Sequence, residues 1–346
     1  MSPTEQAEKE QAVKEQTAKE RSMKSVAGAP SSGQTEIRIK GKSILVPSLQ
    51  IHGRAVITGG KWLKTAVVHD EELLEDETLT DADSFVSQLR LGGLNADIFT
   101  FSQRLPHSVP KFSYHMEWDN FAVIPITTYS EWFKNRIESS VQRAIRKAAK
   151  NGIEVRQAEL DDEFIQGIVK INNDTPVRQG RTFWHFEKSF EEVKHEHLTY
   201  ADRNIFLGAY LEGELIGYMR MVRIDRVASV IQLLTMTKHY DKRPANALIA
   251  RAVELCEQKA MSHLMYCNYV YKDPKSSLTE FKKRSGFEKL LLPRYYIPLT
   301  LKGKVALKLG LHRGLGQQIP EPVLKQLLRI RGLWYRRRLK NVKETL

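Results

Sequence analysis

The clearest hydrophobic pattern of the chain runs over residues 204–287 and predicts three strands, a helix, a fourth strand and a second helix. The three strands are rich in β-branched and aromatic residues, and tight turns at residues 212–214 and 225–226 separate them. Apolar residues then recur every three to four positions over ALIARAVELC, which is typical of an amphipathic helix. Because a helix between neighbouring strands usually makes them parallel, we expect a mixed sheet with a crossover.

The region before residue 136 divides into two parts by its pattern. Residues 1–35 hold almost no large apolar side chain and cannot offset their ordering entropy by burial, which predicts a disordered tail. Residues 36–135 alternate short apolar runs with turns, and predict strands with reversals at Lys40-Gly41 and Gly59-Gly60. A helix is predicted to begin at Asp81. This second part therefore predicts a folded α/β region.

A long helix is predicted over residues 131–150, ended by Asn151-Gly152. One side of it carries an apolar stripe, and the other side and last turn carry the bases Arg143, Arg146, Lys147 and Lys150. A solvated surface is the ordinary role of such bases. Contact with an anion, such as the phosphate of a nucleotide or a lipid carrier, is the functional alternative.

The segment between the helix predicted after residue 160 and the first meander strand holds groups suited to recognition. Five residues within eight positions there carry groups that can recognise a ligand, namely Arg178, Gln179, Arg181, Trp184 and His185. Guanidinium groups beside a Trp and a His suit an anionic or sugar substrate, so these five are candidate substrate-binding residues. The alternative is a loop whose aromatic side chains only pack onto the core.

Composition narrows the class of protein. The chain has 346 residues, of which 41% are apolar, enough for one large core or two modest ones. Of its two cysteines, Cys256 lies on the apolar stripe of its helix, which favours a buried, inert thiol, and no ligand cluster predicts a metal site. There is no apolar run of membrane-spanning length and no secretory signal, so we expect a reduced, cytoplasmic protein.

The order of elements over residues 204–287, with KRPANAL at the start of the first helix and SLTEFKKRSGF in the second, resembles the GNAT (Gcn5-related) N-acyltransferase superfamily. It is most similar to the branch of Fem-type peptidyl transferases and related bacterial acyltransferase-like domains. The resemblance covers residues 136–300 and implies an α/β (α+β) fold, a GNAT-like mixed sheet with flanking helices. It further implies that residues 36–135 form a reduced first GNAT-like half.

GNAT enzymes transfer an acyl group from a thioester to an amine, and the resemblance places the donor at the end of the third strand and the start of the next helix. The candidate donor-binding residues there are Thr235, Thr237, Lys242, Arg243 and Asn246. The glycines of the family's phosphate loop are absent, as they are in Fem-type proteins, which take the acyl group from aminoacyl-tRNA. The donor implied is therefore acyl-CoA or aminoacyl-tRNA, with tRNA as a partner in the second case.

The second stretch that carries the resemblance, FKKRSGF, supplies a candidate catalytic residue. Lys282 in FKKRSGF stands where many GNAT enzymes have a tyrosine, and Fem-type sequences likewise carry Phe-Lys here. The resemblance implies that Lys282 stabilises developing negative charge, whereas an exposed lysine on an amphipathic helix is the ordinary alternative. Asp241, His239 and Glu280 are candidates for the general base, and none of them stands out.

Residues 301–346 differ from the rest of the chain in charge. They hold twelve Lys and Arg against two Glu, in a protein of net charge +13. Leu and Trp interleave with these bases, which predicts a basic amphipathic helical segment. Such a segment can pack on its own domain, lie on an anionic membrane, or contact RNA phosphates.

Two hypotheses of different class follow. The first is an N-acyltransferase acting on the amine of a small-molecule or lipid-linked cell-envelope precursor, such as an amino sugar or a peptide. It works in the cytoplasm, with peripheral contact with the inner face of the membrane through residues 301–346 as an open alternative. The second is a GNAT-like scaffold without catalysis that binds membrane or nucleic acid through the same segment.

Overall fold

A computed structural model describes residues 30–39, 42–74, 81–178, 181–270 and 276–313 of the chain. One twelve-stranded sheet and a separate two-stranded hairpin account for the described strands. In chain order the strands are β1 Ser31–Ile39, β2 Lys42–Ile51, β3 Arg54–Gly59, β4 Thr65–Val68, β5 Ile98–Ser102, β6 His115–Pro125, β7 Glu154–Ala158, β8 Val177–Arg178, β9 Arg181–Thr182, β10 Asn204–Leu211, β11 Glu214–Ile224, β12 Val227–Thr235, β13 His263–Asn268 and β14 Glu288–Pro298.

Helices lie against the sheet, and five of the seven named here begin at a side-chain cap. They are α1 Ala82–Leu91, α2 Ser139–Lys150, α3 Asp162–Asn172, α4 Phe190–Leu198, α5 Pro244–Gln258, α6 Ser277–Arg284 and α7 Leu301–Lys308. The Asp81 carboxylate accepts from the amide of Ser84, and Asp161 accepts from that of Phe164. Both caps confirm the predicted starts of α1 and α3.

The large sheet confirms the predicted meander and crossover. Its strand order is β1-β2-β3-β4-β5-β14-β6-β13-β12-β11-β10-β7. Strands β10, β11 and β12 pair antiparallel in sequence order, and β13 pairs parallel to β12 after the helix α5. Val155 of β7 pairs with Ala209, so β7 completes this end of the sheet.

The two largest hydrophobic cores of the described residues lie on this continuous sheet. The larger is built around α3, α5 and the meander strands, and includes Leu248, Tyr218 and Phe287. The smaller contains the stacked rings of Phe85 and Phe99 from the first half. The strand β14 comes late in the chain but pairs with both β5 and β6, and it contributes Tyr295 to the smaller core. The two halves therefore share strands, and no break in the sheet accompanies the expected boundary between residues 135 and 136.

Two predictions about local structure are wrong. Residues 31–35, assigned to the disordered tail, form the start of β1, where Ser31 pairs with Gln50 of β2. The helix predicted over residues 131–150 is interrupted: a helical turn and a π-helical turn end at Arg136, and Ile137 is extended before α2 begins. The interruption frees the amide of Glu138 to donate to the carbonyl of Arg284 at the end of α6.

The predicted basic C-terminal segment is described only as far as residue 313. Its first part forms α7 and the helical turn Leu311–Arg313, and the remainder lies outside the described residues. In the described ranges, no helix is long and apolar enough to span a bilayer.

Candidate active site

Strands β12 and β13 separate at the place where the resemblance to GNAT enzymes implies a donor-binding site. Their parallel pairing covers three residue pairs and ends at Ser229 opposite Met265. Beyond this point β12 continues to Thr235 and β13 to Asn268 without pairing to each other. The sheet is therefore split between β12 and β13.

Irregular backbone lies on both sides of this split. In β12, Met221 pairs with Val230 but Arg220 pairs with Gln232, which leaves Ile231 as an extra, bulged residue. In β13 the pairing with β6 shifts between Met265 and Asn268. Within that shift Cys267 has φ of 47°, a left-handed conformation that costs a non-glycine residue energy. Strained backbone of this kind clusters at functional sites.

Lys282 lies beside the end of β13. It is completely buried, with 0% of its surface exposed. It projects from α6, whose first turn is capped by the Ser276 hydroxyl. Its Nζ donates to the main-chain oxygen of Asn268 at 2.7 Å and lies 4.5 Å from the centre of the Tyr266 ring. Burial lowers the pKa of Lys282 to about 8, and the nearby Cys267 thiol opposes that shift. Lys282 is thus a desolvated cation that is still mostly protonated at pH 7.

A basic groove opens beside Lys282 on the helical side of the sheet. Its volume is about 520 Å³, and its walls come from α2, the start of α5 and α6. Four cationic side chains and one carboxylate line it: Arg143, Lys147, Arg243, Arg284 and Glu280. Arg284 pairs with Glu280 at 2.7 Å, whereas neither Lys147 nor Arg243 forms a salt bridge with any described residue. The groove therefore retains cations available to an anionic ligand, beside the positive end of the α5 dipole.

An acidic cavity of about 560 Å³ lies on the other face of the split. Six carboxylates and four guanidinium groups line it: Asp70, Glu71, Glu72, Asp119, Glu196, Asp225, Arg38, Arg104, Arg220 and Arg294. Cys267 and Asn268 of β13, and Gln232 of β12, form part of its wall. The acidic cavity carries a formal excess of two negative charges, although the whole chain is strongly basic.

Lys282 stands between these two spaces. Asn268, whose carbonyl accepts from Lys282, lines the acidic cavity, and Phe281, the residue before Lys282, lines the basic groove. On β13, Tyr266 belongs to the larger core on the helical side, whereas Met265 and Cys267 face the acidic cavity. Lys282 itself lines neither space, whereas the residue that it contacts and the residue that precedes it lie on the two walls.

Glu196 of α4 is a carboxylate of the acidic cavity that is fixed by several side-chain contacts. It forms an ion pair with Lys188, and its Oε1 accepts from Nε2 of Gln232 at 3.1 Å. Its salt bridge with Lys188 and the neighbouring His185 keep the pKa of Glu196 below its usual range, against the effect of burial. Because Gln232 lies directly after the bulge of β12, Glu196 is linked to the edge of the split.

The predicted donor-binding residues occupy three different settings. Arg243 and Asn246 line the basic groove at the start of α5. Thr235 and Thr237 line neither cavity: the Thr235 carbonyl accepts from Arg178, and the Thr237 amide donates to Asp174 at 2.6 Å. Lys242 forms an ion pair of 3.9 Å with Asp241. Only Arg243 and Asn246 are therefore placed for donor contact in the groove.

The predicted substrate-binding residues fold as a hairpin and loop against the end of β12. Arg178 donates to the carbonyls of Thr235 and Ile171, each at 3.0 Å, and its guanidinium group lies over the Phe183 ring. Two nitrogens of the Arg178 guanidinium group thus hold the loop to the sheet. We infer that its first role is to position the end of β12.

The other four differ in their surroundings. Trp184 is 57% exposed. His185 is partly buried, 3.2 Å from Nζ of Lys188, and burial lowers its pKa to about 4, so its ring is neutral at pH 7. Arg181 belongs to β9 and pairs through its backbone with Arg178, and Gln179 lies outside the described residues. The roles of these residues stay predictions.

Of the three candidate bases, Asp241 and His239 line neither cavity. The Asp241 side chain is 67% exposed and faces Lys242. Both ring nitrogens of His239 are buried and lack a hydrogen-bond partner among the described residues. Glu280 lines the basic groove, paired with Arg284. The carboxylates that line the space opposite Lys282, such as Glu196 and Asp119, are not identifiable from local sequence, because distant segments bring them together.

The meander, the helix α5, the parallel strand β13 and the split sheet together give the chain a GNAT-like, acyltransferase-related fold. No protein-family model matches the chain, and no curated protein matches its sequence. Solved structures do resemble it. FemX is 10% identical, with 81% of this chain and 90% of that chain covered and a TM-score of 0.46.

Two other solved structures are similar to the chain over most of its length. The L-PGS structure from Bacillus licheniformis is 10% identical, covering 76% of this chain and 86% of that chain, with a TM-score of 0.48. A tandem GNAT protein from the clavulanic acid biosynthesis pathway is 11% identical, covering 79% and 84%, with a TM-score of 0.40. These likenesses concern the fold alone.

Proposed function

We propose that the protein is an N-acyltransferase that moves an acyl or aminoacyl group from an activated, polyanionic donor to an amine. The observation that carries this proposal is the position of Lys282, a buried ammonium group between a basic groove and an acidic cavity. Its ammonium group lies against the Asn268 carbonyl and the Tyr266 ring, away from water, where a charge acts strongly on a reacting group.

The basic groove suits the donor. Acyl-CoA and aminoacyl-tRNA both carry phosphates, which Arg and Lys side chains recognise through charge-assisted hydrogen bonds. Lys147 and Arg243 face the groove from different helices, so together they can grip phosphates from two sides. The absence of a glycine loop at Pro244 leaves side chains, rather than bare backbone, as the principal phosphate contacts.

The acidic cavity suits the acceptor. An amine reaches a protein at pH 7 as an ammonium ion, and the negative charge of the cavity attracts it. A volume of about 560 Å³ is within the usual range for a small-molecule site. We take the acceptor to be an amine of a cell-envelope precursor, such as an amino sugar or a peptide, whose further polar groups would meet the mixed arginines and carboxylates.

The reaction requires the acceptor to lose its proton and attack the acyl carbonyl carbon. A new C–N bond forms, the carbonyl oxygen becomes negatively charged, and the C–O or C–S bond to the donor then breaks. Lys282 stabilises the negative oxygen, and the stabilisation is strong because water is excluded from its surroundings. The amine's proton passes to a cavity carboxylate or water, and the departing oxygen or sulfur takes up a proton from Lys282 or solvent.

The proposal is tested by incubating the purified full chain with a matrix of donors and acceptors. Acyl-CoAs and charged tRNAs are paired with nucleotide-linked amino sugars and envelope peptides, and products are detected by mass spectrometry. We expect one donor class to give an amide product. If no pairing gives product while circular dichroism shows a folded protein, the chain is not a transferase of these substrates, and the scaffold hypothesis with its basic C-terminal segment takes its place.

A further inference from the structure

Three potential metal ligands converge at the start of β6, the strand that pairs with β13. Among the described residues, His115, Glu117 and His312 bring three ligand atoms within 4.8 Å of one another. The local sequence gives no sign of this group, because His312 lies almost 200 positions after His115. The fold alone assembles it.

Two rigid elements hold these ligands. His115 and Glu117 are two residues apart on β6, so they lie on the same face of the strand. His312 lies in the helical turn Leu311–Arg313 that follows α7, and its ring lies 4.7 Å from that of Tyr296 and 5.5 Å from that of His115. Tyr296 pairs directly with His115 across β14 and β6. The His312 side chain is only 3% exposed, so its ring is fixed in place.

The distances fit a tetrahedral metal with a small adjustment. Nitrogen and oxygen ligands of Zn²⁺ lie about 2.0–2.2 Å from the metal, which puts them roughly 3.4 Å apart. His115 Nε2 is 3.5 Å from Glu117 Oε1, and His312 Nε2 is 2.6 Å from the same oxygen. The second distance is that of a hydrogen bond, and it opens by roughly 0.8 Å when a metal replaces the shared proton.

The two ring nitrogens of His312 have different surroundings. Nε2 faces Glu117, whereas Nδ1 is buried without a hydrogen-bond partner among the described residues and takes no part in the proposed coordination. Two imidazoles with one carboxylate form a ligand set that Zn²⁺ accepts, with water in the fourth position.

We propose that His115, Glu117 and His312 bind a Zn²⁺ ion that fastens the turn at residues 311–313 to β6. The open coordination position faces the side of His115, whose side chain is 43% exposed. Arg313 donates to Glu117 at 2.9 Å. Its guanidinium group therefore competes with the metal for this carboxylate and weakens metal binding. The ion thereby fixes the residues that directly precede the basic segment 314–346 in the sequence.

The test is a titration of the full chain, freed of metal with a chelator, with Zn²⁺ in a calorimeter. We expect one equivalent to bind, and H115A and H312A each to weaken binding at least about tenfold. R313Q is expected to tighten it, because the competing cation is removed. H195A is the matched control: His195 also faces a carboxylate, Glu36 at 3.4 Å, but has no third ligand, so binding is unchanged.

A second readout on the unaltered chain protects the test against variants that do not fold. Co²⁺ at a tetrahedral site of nitrogen and oxygen ligands gives visible absorption, which Zn²⁺ then displaces. We expect this absorption in the wild type and its loss in H115A, whose exposed position makes the change safe for folding. Failure of the wild type to take up one equivalent, or equal uptake by H115A, overturns the proposal.

Discussion

The ammonium group of Lys282 donates a hydrogen bond of 2.7 Å to the main-chain carbonyl of Asn268, the last residue of β13. This contact fixes a buried cation where the paired strands have already separated. The helix α6 and the strand β13 therefore build the candidate site together.

The pH dependence of transfer is expected to follow Lys282. Burial lowers the pKa of this lysine to about 8, so the protonated form that stabilises the oxyanion is lost as the pH rises through about 8. We expect kcat to fall above that pH. In K282R the guanidinium group stays charged, and the fall moves to higher pH. A rate–pH profile with the same falling limb in K282R argues that another group titrates.

Charge reversal in the basic groove is expected to weaken donor binding. Lys147 lines the groove and forms no salt bridge with a described residue, so K147E replaces a phosphate contact by repulsion. A charge-assisted hydrogen bond contributes about 1.5–3 kcal/mol, so KM for the donor is expected to rise by about tenfold or more. The acceptor KM is expected to stay unchanged.

Lys150 provides the matched control for that change. It lies on the same helix, is exposed, and does not line the groove, so K150E makes the same change in net charge elsewhere. Equal rises of the donor KM in K147E and K150E, measured at one salt concentration, mean that the groove makes no specific contact.

The two cysteines are expected to differ in reactivity. Burial raises the pKa of the Cys256 thiol to about 12, so Cys256 holds almost no thiolate at neutral pH. Cys267 lines the acidic cavity beside the split. Iodoacetamide is expected to modify Cys267 first, and an acceptor that fills the cavity is expected to slow this. Peptide mapping after short exposure checks the order, with C267S as the control, and preferential labelling of Cys256 contradicts the placement.

A glycine just after α6 is expected to be important for stability. Gly286 has φ of 80°, and an added Cβ would lie 3.0 Å from the Arg136 carbonyl and from Nε1 of Trp132. G286A therefore pays both a conformational cost and a contact cost, together roughly 2–3 kcal/mol. Gly152 has φ of 75° but open space around it, so G152A is expected to cost only about 1 kcal/mol. Urea unfolding of both variants measures the difference, and equal losses contradict the packing at Gly286.

Local signals predict the elements of this fold well. The caps at Asp81 and Asp161, and the apolar stripe of α5, act within one or two helical turns, so the sequence reveals them directly. The placement of β14 between β5 and β6 is different. It depends on pairs such as Tyr296 with Thr100, which no local pattern encodes.

The site is less predictable from sequence because it, too, depends on contacts between distant segments. The sequence singles out Lys282, yet an exposed lysine on an amphipathic helix has the same pattern, and only the fold shows that Asn268 and Tyr266 enclose it. Arg178 shows the opposite case. A guanidinium group looks equally suited to a substrate or to a carbonyl, and here two of its nitrogens hold Thr235 and Ile171.

The central claim is that Lys282 supplies charge to the reaction, and a pair of neighbouring variants tests it most directly. K282M keeps a buried side chain of similar size but removes the positive charge. K283M removes the positive charge of the exposed neighbouring residue. With the donor and acceptor identified by the substrate matrix, kcat of K282M is expected to fall by about 10²–10³, while K283M stays near wild type. Wild-type kcat in folded K282M, or equal losses in both variants, contradicts the account.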